Sequence, residues 1–425
     1  SSSSFPCAMF LIIARSYGKS IDRCYSEASL TLTRSSFLSL NRIDTDGGEE
    51  KIALVLTGGG ARAAYQVGCL RCIAREFPHF EPKILTGVSA GAINAAFLAS
   101  HTGTWIDSLD ELRSVWLDLK TEKVYRTDSY DVLWRVLRMG LRILSGGRLG
   151  SGTVRGMVDT APLANFLFEH LETDADGKLK LDAKLRKGVL DAIALVTTNY
   201  ANGRAEAWVQ SSSQNLWEKG QLTSRPTELM LSHVLASAAI PLFFPAVRLG
   251  GSWHGDGHLR LNAPLSPAIH LGATKILAVS PSFRVGASNS NFQSTSREYP
   301  SPKKIAGVCL NSIFLDLLDY DVLQMQRINQ MLEKLPESEW GAFRRVEVMA
   351  LRPKIDLGEL AQKHEEKLPK SFDFFQSGWG DSDEKTSDLL SMVIFEPDYL
   401  EEIIRRGEED TEERVVELEA FFAPK

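Results

Sequence analysis

The sequence predicts a three-layer α/β/α sandwich built around a mainly parallel central sheet. Three observations support this fold class: nearly continuous apolar segments of strand length, longer segments with helical periodicity, and the alternation of the two along the chain. An apolar run without polar alternation is typical of a strand that is buried on both faces of a parallel sheet. Hydrophobic residues make up 44% and charged residues 24% of the 425 positions, which is the balance of an ordinary globular protein.

The predicted elements begin near residue 51 and follow one another in a regular order. Strands are expected at 52–56, 84–86, 192–197, 275–279 and 346–351. Helices are expected at 64–77, 90–99, 107–119, 131–144, 161–171, 228–238 and 308–334. A long polar stretch divides the chain into a main domain at 51–282, a loop at 283–303 and an α-rich extension at 304–425 that donates one strand.

Residues 1–50 differ in composition from the rest of the chain. They are rich in serine and arginine and poor in acidic residues, a bias that organelle transit peptides share with unstructured leaders. We interpret them as a disordered leader. A transit peptide, or a true start at Met9, is the alternative.

Charge, cysteine content and hydropathy exclude several classes of protein. The net charge of −6 argues against a broad surface for nucleic acids. The five cysteines are too few for a dense disulfide framework, and their odd number favours a reducing compartment. No uncharged apolar run reaches the roughly 18 residues that a membrane-spanning helix needs. The sequence therefore predicts a cytoplasmic protein that binds no nucleic acid.

A glycine-rich segment, Gly-Gly-Gly-Ala-Arg at 58–62, follows the first predicted strand and opens the first predicted helix. Consecutive glycines permit a tight turn, and their N–H groups can converge on one anionic point. Such a loop serves either as a dinucleotide cradle or as an oxyanion hole for acyl transfer. Ala63 stands where the dinucleotide motif has its third glycine, and Glu81 precedes Pro82 instead of ending a second strand. By itself the segment indicates neither use strongly.

The segment Gly-Val-Ser-Ala-Gly at 87–91 lies between a predicted strand and a predicted helix. In this context the Gly-x-Ser-x-Gly pattern places the serine on a sharp turn with its hydroxyl exposed. We therefore predict that Ser89 is a nucleophile. The alternative is a glycine-rich turn in which Ser89 only caps the helix.

Asp256 is the candidate base, in the glycine-flanked turn Trp-His-Gly-Asp-Gly-His at 253–258. A serine hydroxyl needs a base to become a useful nucleophile. Asp256 either accepts the proton itself or orients a histidine, although His254 and His258 lie too close to it along the chain to be oriented easily. The alternative is a carboxylate that only stabilises the turn.

Together the three segments resemble the patatin-like phospholipase family, over residues 51–282. Ser89 lies 29 residues after Gly60, and Asp256 lies 167 residues after Ser89. The phrases Ala-Ser-Ala-Ala-Ile-Pro at 236–241 and Asn-Ala-Pro-Leu-Ser-Pro-Ala at 262–268 also match the family. The region from 304 to 410 resembles the C-terminal region of bacterial members, with less specific motifs.

The resemblance implies a lipid acyl hydrolase on a three-layer α/β/α sandwich that uses neither a metal nor a cofactor. Ser89 would be the nucleophile and Asp256 the base of a Ser–Asp dyad that needs no histidine, with an acyl lipid as the substrate. The oxyanion-binding loop would consist of Gly58, Gly59, Gly60 and Arg62. An equally weighted alternative for Arg62 is that it ties this loop to a neighbouring carboxylate.

Two positions depart from the family pattern. Ala63 stands where the family usually has glycine, a small change that a residue with negative φ tolerates. His258 stands where glycine or alanine usually follows Asp-Gly, which puts the local turn in doubt and adds a cation or a donor beside Asp256. We expect activity to survive both changes.

Segment 130–148 is a candidate for peripheral contact with a membrane. It combines leucines and a tryptophan with four arginines. A helix with a broad apolar face and only cationic charges in its body can lie on an anionic lipid surface. The alternative is an ordinary amphipathic helix that packs on the sheet.

Three other functions fit parts of the pattern. An acyltransferase or a thioesterase would form the same acyl-enzyme. A nucleotide-binding or regulatory protein would use the glycines at 58–60 for a phosphate. A catalytically inactive homologue, disabled at His258, would only bind lipid.

Overall fold

The computed structural model describes residues 50–126, 156–212, 217–219, 221–283, 317–362 and 391–424. Within these described residues, all except 340–343 belong to one compact unit. The segment at 130–148 and the helix predicted at 131–144 lie outside the described residues. Nearly all of the predicted leader and of the polar loop at 283–303 lies outside them as well.

The described strands and helices alternate along the chain, with several short strands in its middle. The strands are β1 (Ile52–Leu56), β2 (Ile84–Val88), β3 (Ala192–Asn199), β4 (Arg204–Ser211), β5 (Glu218–Lys219), β6 (Leu222–Pro226), β7 (Val247–Leu249), β8 (Ser252–Asp256), β9 (Lys275–Val279) and β10 (Glu347–Leu351). The helices are α1 (Ala64–Glu76), α2 (Ala90–Ser100), α3 (Trp105–Asp118), α4 (Thr121–Val124), α5 (Ala161–His170), α6 (Asp182–Arg186), α7 (Leu231–Ser237), α8 (Ser266–His270), α9 (Leu318–Leu332), α10 (Leu357–Gln362), α11 (Pro397–Glu412) and α12 (Val415–Phe422). Short 3₁₀ turns cover Gly60–Ala63, Gly257–Leu259 and Glu337–Glu339.

Ten strands form a single sheet in the order β10-β9-β1-β2-β3-β4-β6-β5, with β8 also paired to β3 and β7 to β8. The first five strands of this order run parallel, and β4 and β8 both pair with β3 in the antiparallel direction. In the parallel part, Leu54 of β1 is level with Leu85 of β2 and Leu277 of β9. The predicted mixed fold with a mainly parallel central sheet is confirmed.

Alternate residues of β1 face the two sides of the sheet and define its two cores. Leu54 and Leu56 belong to a large cluster that includes α1, α2 and α3. Ala53 and Val55 belong to a second cluster with residues of α8 and α9. Because successive side chains of a strand point to opposite faces, helices cover both sides and complete the three layers.

Helix α11 of the C-terminal region crosses α1 with direct contact between the two backbones. A Cβ atom at Gly68 would overlap the carbonyl oxygen of Ile404, and one at Gly407 would overlap that of Tyr65. Near this crossing, the Tyr65 hydroxyl donates a hydrogen bond to Oδ2 of Asp410 at 3.1 Å. The C-terminal region therefore packs directly on the helix that follows the glycine-rich loop.

Gly68→Ala is expected to destabilise the protein, although alanine is the better helix former. In an unconstrained helix the change would stabilise by about 1 kcal/mol. Here the new methyl group must push the two helices apart, and such overpacking costs about 1–3 kcal/mol. We expect a lower urea midpoint. As a control, Ser114→Ala at an exposed position of α3 should be neutral or slightly stabilising, and a midpoint of Gly68→Ala at or above wild type would contradict the close crossing.

Candidate active site

Ser89 occupies the sharp turn between β2 and α2. Its backbone φ of 57° lies in the left-handed region, which among the described non-glycine residues is otherwise adopted only by Leu242. A strained backbone of this kind persists only where the surrounding structure holds it, and it is concentrated at functional sites. Ser89 as a whole residue is 5% exposed. The local sequence thus places one hydroxyl at the carboxyl end of β2 and at the N-terminus of α2.

The two glycines around Ser89 are required by close packing. A Cβ atom at Gly87 would lie 2.7 Å from Cα of Ala92, and one at Gly91 would overlap the carbonyl oxygen of Leu56. Any larger residue would push α2 away from β1 and β2. The Gly-x-Ser-x-Gly spacing therefore lets the helix start directly against the sheet.

Asp256 meets Ser89 from the end of β8. Oγ of Ser89 donates a hydrogen bond to Oδ2 of Asp256 at 2.6 Å, and the aspartate side chain is fully buried. Strand β3 brings the two together, because Val196 is level with Val88 of β2 while its neighbour Thr197 is level with Asp256. The pair has the geometry of a hydroxyl and its proton acceptor.

Burial dominates the electrostatics of the Asp256 carboxyl group. The absence of solvent raises its pKa, since a low dielectric disfavours the charged form. The charge of His258 acts in the opposite direction, as do hydrogen bonds from the Ser89 hydroxyl and from the His258 backbone N–H, which reaches Oδ1 at 2.9 Å. The net result is a carboxylate that is more basic than an aspartate in water.

The two nearby histidines have different surroundings. Nδ1 of His258 would lie 2.8 Å from a Cβ atom at Gly58, so its imidazole lies beside the glycine loop. His254 is 1% exposed, and its Nδ1 lies 3.0 Å from Oγ1 of Thr197. Burial lowers the pKa of His254. The motif at 253–258 thus contains one half-buried histidine beside the glycine loop and one buried histidine beside Thr197 of β3.

The glycine loop lies directly over Ser89. A Cβ atom at Gly58 would lie 2.6 Å from Cβ and 3.2 Å from Oγ of Ser89. A side chain at Gly59 would overlap Pro281, and one at Gly60, whose φ is 56°, would overlap the carbonyl oxygen of Met392. Each of the three glycines thus contacts a different neighbour that leaves no space for a side chain. For this reason the loop can approach Ser89 closely.

Arg62 is directed to the C-terminal region. Its Nε donates a hydrogen bond to Oγ of Ser391 at 2.5 Å. The segment that follows is also fixed from the other side, because the Tyr125 hydroxyl donates to the carbonyl oxygen of Val393 at 2.8 Å. Of the residues predicted for the site, Ser89, Asp256, Gly58 and Gly60 come together, and Gly59 packs against Pro281. The hydrogen bond of Arg62 instead holds the C-terminal segment against the loop.

An apolar cavity of about 50 Å³ begins at Ser89 and Gly60 and extends between α2, α3, α4 and α5. Its walls include Phe97, Leu112, Trp116, Leu163, Phe166 and Phe395. The last of these comes from the C-terminal segment. A narrow apolar cavity beside a nucleophile suits a hydrocarbon chain better than a polar group.

Two buried side-chain amides that were not predicted from the sequence frame the glycine loop. Nε2 of Gln66 donates to the carbonyl oxygen of Thr57 at 2.7 Å, and Nδ2 of Asn94 donates to that of Ala63 at 3.2 Å. Asn94 in turn accepts a hydrogen bond from the indole N–H of Trp116 at 2.8 Å. The signal was an asparagine within the alanine-rich helix that follows Ser89, because a buried polar side chain needs partners.

Comparison with protein families gives one match that covers half of the chain. A family model described as patatin-like phospholipase matches residues 54–269. This range includes the glycine loop, Ser89 and Asp256. No curated protein sequence matches the chain.

Solved structures with a similar fold have low sequence identity to this chain. VipD from Legionella pneumophila is 12% identical with a TM-score of 0.35, over 87% of this chain and 67% of that one. Human GIVD cytosolic phospholipase A2 in complex with methyl gamma-linolenyl fluorophosphonate is 13% identical with a TM-score of 0.41, over 88% of this chain and 59% of that one. The type III effector protein ExoU is 14% identical with a TM-score of 0.28, over 87% and 54%. The chain thus spans little more than half the length of the last two proteins.

Proposed function

Because the chain belongs to the patatin-like phospholipase family, we propose that it is a serine hydrolase of acyl lipids, with Ser89 as the nucleophile and Asp256 as the base. The observation that carries the proposal is the 2.6 Å hydrogen bond from Oγ of Ser89 to Oδ2 of the buried Asp256. Family membership supports the lipid hydrolase, and this hydrogen bond supports the assignment of the two residues.

In the first half of the reaction, Oγ of Ser89 attacks the carbonyl carbon of the ester, and its proton moves to Oδ2 of Asp256. Backbone N–H groups of the loop at 58–60 stabilise the oxyanion, and each such donor lowers the barrier by roughly 3–4 kcal/mol. Asp256 then returns the proton to the departing alcohol, which leaves the acyl group on Ser89.

In the second half, a water molecule replaces the alcohol. Asp256 accepts a proton from the water, the hydroxide attacks the acyl carbon, and the proton finally returns to Oγ of Ser89. The products are a fatty acid and the free enzyme. The raised pKa of Asp256 supports this double use of one carboxyl group, since its basicity is closer to that of the groups it exchanges protons with.

The apolar cavity supports an acyl chain as the group that is transferred. Its lining beyond Ser89 and Gly60 is almost entirely hydrocarbon, so burial of a fatty acyl chain there contributes about 0.8 kcal/mol per methylene group. The ester carbonyl of such a chain would lie between Ser89 and the glycine loop.

Contact with a membrane is proposed from the sequence of residues 130–148, where arginines alternate with large apolar residues. Among the residues that the structure describes, no helix is long and apolar enough to cross a bilayer. Peripheral binding of this segment would hold the protein on a lipid surface, where acyl lipids are available as substrates.

The purified protein should release fatty acid from phospholipid vesicles, and an alkyl fluorophosphonate should label it on Ser89. Only a serine activated by a base reacts readily with this reagent, so mapping of the adduct by mass spectrometry tests the nucleophile directly. Transfer of the acyl group to an added alcohol, without net hydrolysis, would assign an acyltransferase instead. An unlabelled Ser89 together with no fatty acid release would reject the proposal.

A further inference from the structure

The C-terminal end of α7 contacts the backbone of both residues of the proposed dyad. The N–H of Ser89 donates a hydrogen bond to Oγ of Ser237 at 3.0 Å. Two residues further on, the carbonyl oxygen of Ala239 accepts a hydrogen bond from the N–H of Asp256 at 2.9 Å. One turn of the chain therefore holds Ser89 and Asp256, which are 167 residues apart in sequence.

The hydroxyl group of Ser237 has a defined orientation. It donates its proton to the carbonyl oxygen of Val196 at 2.6 Å, which leaves its oxygen lone pairs for the N–H of Ser89. Val196 belongs to β3, the strand that lies between β2 and β8. Ser237 is completely buried, so no water competes for either bond.

The N–H of Ser89 needs such a partner for two reasons. It precedes the first turn of α2, where backbone N–H groups have no acceptor within the helix. Its residue also has a φ of 57°, a conformation that relaxes unless neighbouring groups hold it. A small rotation of this backbone would move Oγ away from Oδ2 of Asp256, because the side chain follows the peptide plane.

We propose that Ser237 is a positioning residue, whose hydroxyl holds the backbone of Ser89 so that its Oγ stays within hydrogen-bond distance of Asp256. The inference rests on the proposed function, because Ser237 can position a nucleophile only if Ser89 is the nucleophile. It goes beyond that function because Ser237 touches neither the ester nor the oxyanion. Removal of the hydroxyl acts on the chemical step through geometry.

Ser237→Ala is expected to lower kcat roughly 10- to 100-fold, which is the range for misplacement of a reacting group by about 1 Å. KM should change little, because the apolar cavity keeps its lining. The rate constant for fluorophosphonate labelling of Ser89 should fall in parallel with kcat. Ser237→Thr, which keeps the hydroxyl, should recover most of the lost rate.

Ser108→Ala is the matched control. Ser108 is also a completely buried serine, and it donates to a backbone carbonyl, that of Trp105, at 2.6 Å. This control should keep the wild-type kcat even if its melting temperature falls. All rates are to be measured well below the melting temperature of each variant. Should Ser237→Ala not fold, Ser237→Cys keeps the volume with a weaker acceptor and should show the same loss.

Two failures can be distinguished in this experiment. If a folded Ser237→Ala protein labels and turns over at the wild-type rate, Ser237 has no positioning role, and the proposed function stands. If the wild-type protein itself is not labelled at Ser89, the proposed function is wrong.

Discussion

Ser89→Ala is expected to reduce ester hydrolysis by at least about 10³-fold, because no other group at this turn can form the acyl-enzyme. Fluorophosphonate labelling should disappear in the same variant. The fold should persist, since alanine adopts a φ of 57° about as readily as serine does. The variant loses the hydrogen bond to Asp256, which costs about 1–3 kcal/mol when a buried acceptor is left without its partner.

Fatty acid release and thermal melting should be measured side by side. A suitable control is Ser100→Ala at the other end of α2, where a buried hydroxyl donates to the carbonyl oxygen of Ala96 at 2.8 Å. This control should keep its activity. Wild-type rates in Ser89→Ala would show that the nucleophile lies elsewhere.

Asp256→Asn is expected to reduce kcat by about 10²- to 10⁴-fold, the range for loss of a general base. The amide has nearly the same shape, and its oxygen can still accept the hydrogen bond from the His258 N–H. It cannot accept a proton from Oγ of Ser89. Because only the chemical step is affected, KM should stay close to the wild-type value.

Asp321→Asn provides the matched control for this change. Asp321 is half-buried, its pKa is raised to about 6 by partial burial, and it accepts a hydrogen bond from the N–H of Leu265 at 2.8 Å. It lies in α9, on the opposite face of the sheet from α2. We expect this control to retain full activity. Full activity in Asp256→Asn would transfer the role of base to a histidine, with His258 as the first candidate.

The raised pKa of Asp256 also determines two pH dependences. The protonated carboxyl cannot act as a base, so wild-type activity should fall as the pH decreases through a value above the ordinary aspartate pKa of about 3.9. In stability the sign is reversed: the folded protein binds this proton more tightly than the unfolded chain does. This proton therefore stabilises the folded protein fully at pH values below the pKa of Asp256 in the unfolded chain. The stabilisation is lost as the pH rises through the higher pKa of Asp256 in the folded protein.

The Asp256→Asn variant lacks this titrating group and therefore does not lose this stability as the pH rises. The difference between its urea midpoint and the wild-type midpoint should shift in favour of the variant from acidic to neutral pH. Urea unfolding of both proteins at a series of pH values from about 4, close to the ordinary aspartate pKa, up to about 8 checks the sign. A difference between the two proteins that does not change with pH would contradict a carboxyl group whose charge is disfavoured by burial.

The sequence by itself determined the parallel half of the sheet and the three local segments of the site. The strands at 52–56 and 275–279 and the helices that follow the glycine-rich segment and Ser89 agree with the structure closely. These features depend on short-range physics: hydrophobic periodicity, the tight turns that glycine permits, and the start of a helix directly after a strand. The resemblance to a family then added the pairing of Ser89 with Asp256.

Strands β4 to β8 were not predicted from the sequence pattern, although β8 carries Asp256. These strands are short or contain polar residues that become buried only through distant partners. Glu206 of β4, for example, is 4% exposed at its side chain and accepts a hydrogen bond from Asn199 at 3.0 Å. No local period reveals such a strand, because its burial depends on which elements pack around it.

Only the tertiary structure decided which distant residues complete the site. Strand β3 joins β2 and β8, the end of α7 supplies Ser237, and the C-terminal segment supplies Ser391 and Phe395. Each of these contacts links residues that are far apart in the chain, and neither composition nor spacing encodes which strands become neighbours. The motifs therefore determine what each residue can do, and the packing of the sheet determines which of them can do it together.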